Sequence, residues 1–291
     1  MIISFKDLLK DAGIATKMLF LLFIICFCLV LISPAILVIN ALKLPEITNL
    51  KLVQLVSSVG LTVVPAYIFA RTYSSKPSSY LSLDTKTNWK IMAYVAILMI
   101  IAIPFINLLG SINQQMVLPK ALAGIENWMK NAESQASGLT EKILNIHSIL
   151  SLLFNILLVA IIPAIGEELI FRGVLIKILR DWKGIKLAIW LTAIIFSAIH
   201  LQFYGFIPRM LMGAFFGYLL LWSDSLWLPI VAHFTNNAVA IIFYYLKYNG
   251  YKMPDIDNIG TGNTLWLGIA SGALVVFGIS QLKKQILQKK D

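Results

Sequence analysis

The stretch Gly166-Glu167-Glu168-Leu169-Ile170-Phe171-Arg172 places two carboxylates and a guanidinium in the middle of a long apolar run. The preceding segment 152–165 carries no charged residue, and Lys177 is the only charged residue in segment 173–179. A charge at the centre of a membrane helix costs about 2.5–3.5 kcal/mol on insertion scales. These three ionisable groups therefore indicate a protein interior or a water-filled cavity in which each of them has a partner.

The composition of the whole chain predicts a helical membrane protein. Of its 291 residues, 59% are hydrophobic and 13% are charged, whereas soluble domains carry about 25% charged residues. Apolar stretches long enough to cross a bilayer recur along the entire length. One such stretch could be buried in a soluble core, but about eight of them predict an all-α, polytopic bundle of transmembrane helices.

The long loop after the third predicted span, residues 110–146, carries apolar residues at helical spacing. Val117, Leu122, Ile125 and Trp128 alternate there with charged residues. This pattern predicts an amphipathic interfacial helix that lies on the membrane surface or caps the bundle. The simplest interpretation is a surface helix without chemistry, and the alternative is a lid or a substrate gate.

The chain is accordingly predicted to have four parts. Residues 1–110 hold transmembrane helices one to three, and residues 111–147 form the amphipathic extramembrane loop. Residues 148–248 form an intramembrane core that holds the unusual polar residues. Residues 249–291 hold the last transmembrane helix and a basic cytoplasmic tail.

The charge distribution predicts an orientation. With the N-terminus inside, eight spans return the C-terminus to the inside, and the inner segments then carry fifteen lysines and arginines against seven in the outer segments. This bias predicts an N-in, C-in topology. The net charge of +10 is therefore attributed to this bias and to anionic lipid, and not to nucleic-acid binding. A composition rich in Ile, Lys and Asn favours a bacterial inner membrane.

Polar residues recur on three of the predicted spans in the second half of the chain. Glu168 and Arg172 are four residues apart and can pair on one helical face, which leaves Glu167 pointing about 100° away. Two further motifs follow, Phe196-Ser197-Ala198-Ile199-His200 and His233-Phe234-Thr235-Asn236-Asn237. In each motif the first and last residues share a helical face, so Phe196 can wall the His200 imidazole, and His233 and Asn237 can aim at one point.

A carboxylate, two imidazoles and an amide in one membrane interior fit hydrolytic chemistry. Glu167 could take a proton from water as a general base while His200 holds that water. His233 and Asn237 could donate hydrogen bonds to a developing oxyanion. Glu167, His200 and His233 are also the donor types of a catalytic zinc site with an open position. A structural ion pair, or a proton or ion path in a transporter, remains open at this level.

The three motifs together resemble those of a known family. The order Glu-Glu-x-x-x-Arg, Phe-x-x-x-His and His-x-x-x-Asn on successive membrane helices is similar to the CPBP family, also called Abi. This family comprises CAAX proteases and bacteriocin-processing enzymes, including the type II prenyl-protein endopeptidase. The resemblance covers approximately residues 148–248.

The resemblance implies an intramembrane endopeptidase with eight helices. It implies that Glu167 activates water with help from His200, that His233 and Asn237 form the oxyanion side, and that Glu168 and Arg172 orient the site. The family is commonly described as metalloproteases, although a metal-free glutamate mechanism has also been argued. Since the chain has no His-Glu-x-x-His motif, both a zinc-dependent and a metal-free enzyme remain open.

The expected partners are a peptide or membrane-protein substrate and the lipid bilayer. The competing function is a membrane transporter or a bacteriocin self-immunity protein that uses the same polar cluster without proteolysis. An inverted-repeat transporter should show matching broken helices in both halves of the chain. Here the polar cluster lies in one half only, which favours the enzyme.

Overall fold

The computed structural model describes Leu9 and residues 12–288. Of those described residues 84% are helical, and none of them lies in a strand. Within this described part, seven helices are long and apolar enough to cross a membrane. In chain order the longer helices are α1 (Ile14–Ala41), α2 (Glu46–Tyr73), α3 (Trp89–Gln114), α4 (Ala123–Leu144), α5 (Ile149–Lys183), α6 (Ile185–Ala198), α7 (Phe206–Ser223), α8 (Trp227–Tyr248) and α9 (Leu265–Leu287).

The predicted all-α, polytopic bundle is confirmed. Of the eight predicted spans, the fifth corresponds to α6, an apolar helix of only 14 residues that is shorter than a full membrane span. The loop after the third span contains the expected helix, α4, although its place on the membrane surface stays a prediction. Four cations counted for the orientation lie outside the described residues, namely Lys6, Lys10, Lys289 and Lys290.

Helix α5 carries the central motif and is not a regular α-helix throughout. It contains π-helical segments at Ile156–Ile161 and Leu169–Leu175. Single π-turns inside α-helices are frequent at functional sites. The second π segment begins directly after Glu168, contains Arg172, and is buried along its whole length. The widened turns therefore lie at the position where the charged residues face the bundle interior.

Helix α5 also comes very close to α2, at Gly166. A Cβ atom at this position would lie 1.9 Å from Oγ1 of Thr62 and 3.2 Å from Cγ2 of Val63. Only glycine permits this approach, since any side chain would collide with α2. The contact fixes the wall of the bundle next to Glu167.

The turn between α7 and α8 is held by the chain segment 82–87. The backbone N–H of Leu226 donates to Ser82 O (2.9 Å), Ser225 Oγ donates to Thr85 O (3.0 Å), and Trp227 Nε1 donates to Leu83 O (2.9 Å). These hydrogen bonds hold the start of α8, and His233, in its second turn, reaches the central motif of α5.

Candidate active site

Glu168 and Arg172 form the predicted ion pair at the centre of the bundle. Arg172 Nη1 lies 3.0 Å from Glu168 Oε1, and both side chains are 0% exposed. Arg172 Nη2 donates a second hydrogen bond, of 2.8 Å, to the carbonyl oxygen of Gly213 on α7. A buried guanidinium needs such partners because an unpaired charge in a low-dielectric interior is strongly unfavourable. The pair therefore joins α5 to α7.

Aromatic rings complete the surroundings of Arg172. The guanidinium carbon lies 4.7 Å from the ring centre of Phe196 and 5.3 Å from that of Phe216. Both distances are within the range of cation–π attraction. Gly213 makes room for this arrangement, because a Cβ atom there would lie 3.2 Å from Arg172 Nη2.

His233 lies between the two carboxylates. Its Nδ1 is 2.9 Å from Glu168 Oε1, and its Nε2 is 3.8 Å from Glu167 Oε2. A carboxylate paired with Arg172 accepts hydrogen bonds, so His233 Nδ1 carries the donated hydrogen. The separation from Glu167 exceeds hydrogen-bond length, and His233 thus presents Nε2 towards Glu167 without being bonded to it.

Glu167 is the accessible member of the carboxylate pair. Its side chain is 21% exposed, whereas that of Glu168 is 0% exposed. Across the part of the chain that the structure describes, no hydrogen bond from a protein donor reaches the Glu167 side chain, and its one ionic contact is the 3.8 Å approach of His233. Glu167 is therefore the carboxylate that water can reach.

His200 follows the C-terminal end of α6. Its Nδ1 lies 2.7 Å from the carbonyl oxygen of Phe196. A carbonyl oxygen only accepts, so Nδ1 carries the hydrogen and Nε2 of the neutral ring is a free acceptor. The Phe196 ring centre is 4.9 Å from the His200 ring centre and 6.0 Å from that of His233. One aromatic ring thus contacts both imidazoles. Its contact with His200 is the one predicted from the four-residue spacing.

Asn237 lies one turn beyond His233 on α8. Its Nδ2 donates to the carbonyl oxygen of Val159 on α5 (3.2 Å), and its Oδ1 accepts from Asn236 Nδ2 (3.2 Å). In this arrangement His233 and Asn237 bond to different partners, Glu168 and Val159, both on α5. Asn237 keeps one N–H for another acceptor.

The three predicted metal ligands do not form a metal site in this arrangement. The residues described contain no group of three or more His, Cys, Asp or Glu side chains that could hold a metal ion. His200 Nδ1 and His233 Nδ1 are engaged with Phe196 and Glu168, which leaves Nε2 as the open nitrogen of each ring. As placed, the described side chains do not form a three-ligand group, and a metal requirement of this protein stays a prediction.

Two contributors to the site were not predicted, Gly213 and Phe216. Both lie on α7, where Gly213 and Gly217 repeat a small residue at four-residue spacing. Such spacing is typical of close helix contacts in membranes. This spacing could have indicated that another helix packs against α7 at Gly213.

The fold and the site define an integral membrane protein with a polar site inside its helical bundle. Residues 149–239 match the family described as Type II CAAX prenyl endopeptidase Rce1-like. The matched segment contains every predicted site residue, and it confirms at family level the resemblance indicated by the three motifs.

A curated relative shares a longer segment. The chain is 28% identical over 119 residues to the uncharacterized protein YpbD of Bacillus subtilis (strain 168). The shared segment covers 40% of this chain and 57% of the relative, so the chain spans little more than half of that protein's length. No solved structure gives a match.

Proposed function

We propose that this chain is an intramembrane endopeptidase that hydrolyses a peptide bond of a membrane-associated protein or peptide with water activated by Glu167. The observation that carries the proposal is the different environment of two adjacent carboxylates. Glu168 is fully buried and held by Arg172 and His233, whereas Glu167 is accessible and accepts no hydrogen bond from a described residue. A general base needs this accessibility, because it must contact the proton that it removes. The family match over residues 149–239 supports the reaction class.

The positions of the donors and acceptors support the following reaction. Glu167 takes a proton from water while the water oxygen forms a bond to the carbonyl carbon of the scissile peptide. His200 Nε2, a free acceptor, takes the second hydrogen bond of the same water. Glu167 then returns the proton to the amide nitrogen as the carbon–nitrogen bond breaks, so that a carboxylic acid and an amine leave.

The remaining side chains orient the site or stabilise charge. Glu168 and Arg172 hold α5 against α7 and fix the Nδ1 side of His233. His233 can donate to an oxyanion only through Nε2, which requires a proton on both ring nitrogens. Asn237 has one N–H to spare and is the second candidate donor for the oxyanion.

The test measures the cleavage of a membrane-peptide library in detergent. The wild type and Glu167→Gln are compared, each with and without a chelator. Removal of a general base should lower the rate by about 10²–10⁴-fold, and the chelator should change nothing. Glu46→Gln is the matched control, since Glu46 is an exposed carboxylate paired with Lys142 at the surface.

Other outcomes have distinct meanings. Loss of cleavage with the chelator would show that the enzyme needs a metal, against the donor arrangement described above. Equal rates for the wild type and Glu167→Gln would refute the role of Glu167. Absence of cleavage by the wild type would favour a transporter or self-immunity protein.

We further infer that the chain resides in a bacterial cytoplasmic membrane with both termini inside. The support is the excess of lysine and arginine in the segments assigned to that side.

A further inference from the structure

A polar cavity that includes none of the candidate active-site residues lies where α1 begins and where α2 and α5 end. It measures about 360 Å³ and is open to the surface. Lys17 of α1 and Lys177, Arg180 and Asp181 of α5 line it, together with hydroxyl groups of the loop after α2. All these positions are at ends of membrane-spanning helices, which is the level of lipid headgroups.

The cavity carries more positive than negative charge. Lys17 Nζ lies 3.2 Å from Asp181 Oδ2, and Arg180 Nε lies 3.9 Å from Asp181 Oδ1. Among the described residues that line the cavity, Asp181 is the one carboxylate. It is shared by these two cations, and Lys177 adds a third cation. The described lining therefore has an excess of two positive charges at neutral pH.

Lys177 is held in place without a counter-ion. Its Nζ donates to the carbonyl oxygen of Tyr80 and to Ser82 Oγ, and lies 4.8 Å from the ring centre of Tyr80. Within the described residues no carboxylate lies within 4.0 Å of this ammonium group. A lysine whose fixed hydrogen bonds are all to neutral groups can still donate a charge-assisted bond to an anion.

An adjoining cavity adds an apolar wall. It measures about 240 Å³ and shares Ser82, Lys177 and Arg180 with the first cavity. Its other lining includes the apolar Ile185, Leu220 and Leu221 and one carboxylate, Asp224, so the described lining of the two cavities together keeps an excess of one positive charge. A ligand that bridges both cavities would place an anionic group among the cations and an aliphatic chain against the leucines, which is the chemistry of a phospholipid.

We propose that this paired cavity binds an anionic phospholipid, with the phosphate between Lys17, Lys177 and Arg180. Basic pockets between transmembrane helices are known recognition sites for anionic headgroups. The bound lipid would join α1 and α2 to the end of α5, the helix that carries Glu167. This proposal is independent of the proposed peptidase activity.

The test is native mass spectrometry of the purified full-length protein in detergent with added phosphatidylglycerol or phosphatidylcholine. Wild type should retain phosphatidylglycerol in preference to phosphatidylcholine. Arg180→Gln should weaken that binding about fivefold, because one surface cation is lost. Asp181→Asn should strengthen it by a similar factor, because the competing carboxylate is removed. Arg71→Gln, at the exposed end of α2 and outside both cavities, should leave it unchanged.

Three results would overturn the proposal. Equal weakening by Arg180→Gln and Arg71→Gln would show diffuse attraction to a charged surface. Equal retention of the two lipids would show that no anionic headgroup is recognised. Displacement of phosphatidylglycerol by inorganic phosphate would show a site for a soluble anion. The Arg180 side chain is 55% exposed, so the variant should fold, and its thermal unfolding is compared with that of wild type.

Discussion

Glu167 and Glu168 are neighbours in the chain and have opposite environments. Helical spacing predicted that Arg172 pairs with Glu168, and this pair is present at 3.0 Å. The spacing could not predict that His233 bonds to the same carboxylate, because that contact joins α5 to α8. Helical spacing therefore identified Arg172, the partner of Glu168 on the same helix. The partner on another helix, His233, depends on how the helices pack.

Glu168→Gln should destabilise the protein by about 3–5 kcal/mol, because it leaves the buried Arg172 without a counter-charge. Glu167→Gln should have a much smaller effect, since Glu167 is partly exposed and has no close ion pair. Thermal or denaturant unfolding in detergent measures the stability change of each variant relative to the wild type. A loss of stability in Glu167→Gln as large as that in Glu168→Gln would contradict the assigned positions.

Gly213→Ala should destabilise the protein by about 1–3 kcal/mol through overpacking. The added Cβ would lie 3.2 Å from Arg172 Nη2, 3.3 Å from Phe196 Cδ1 and 3.4 Å from the backbone of Ala193. Gly110→Ala is the matched control, because Gly110 also lies in a membrane-spanning helix but has open space at its Cβ position. This control should raise stability by roughly 0.5–1 kcal/mol. Equal effects of the two substitutions on the unfolding midpoint would argue against close packing around Gly213.

At the scale of elements, the helices were predictable and their irregularities were not. Apolar runs predicted the spans because every backbone polar group in a bilayer must be satisfied within the helix. The π segments of α2 (Val59–Val63) and α5 left no such pattern in the sequence. His200 was expected within a span, but it follows the end of α6 at Ala198.

Close contact between α2 and α5 predicts coupled substitutions at Thr62 and Gly166. Gly166→Ala should destabilise the protein by about 1–3 kcal/mol, because its Cβ would collide with Thr62 Oγ1. Thr62→Ala removes that oxygen, so the double variant should recover part of the loss. The measurement is a double-mutant cycle of unfolding free energies, with an expected coupling of at least about 0.5 kcal/mol. Additive effects would mean that the two helices do not touch there.

At the scale of the molecule, composition predicted the class of protein, and three short motifs predicted the segment that matches a family. The metal set stays a prediction, because donor types alone do not say which nitrogen of a histidine faces which partner. His200 and His233 each engage Nδ1 with a neighbour. The match over residues 149–239 concerns the same third of the chain that the motifs indicated.

The proposed topology places both termini on the cytoplasmic side. A C-terminal fusion to green fluorescent protein should therefore fluoresce in bacterial cells, and a fusion to alkaline phosphatase should be inactive. The physical reason is the excess of lysine and arginine in the segments on that side. Active phosphatase at the C-terminus would reverse the assignment, and a fusion within the 115–122 segment should show the opposite pair of signals.

The short length of α6 has a consequence for the surrounding lipid. Its 14 residues span about 21 Å, against a hydrocarbon thickness of about 30 Å. Leu187, Trp190 and Ile194 on this helix are more than one-third exposed. Acyl chains beside α6 therefore contact an apolar surface that is shorter than the hydrocarbon layer. The bilayer responds to such hydrophobic mismatch by local thinning. Thinning beside α6 brings the aqueous phase closer to His200, so lipids with shorter acyl chains should hydrate the site more readily than lipids with longer ones.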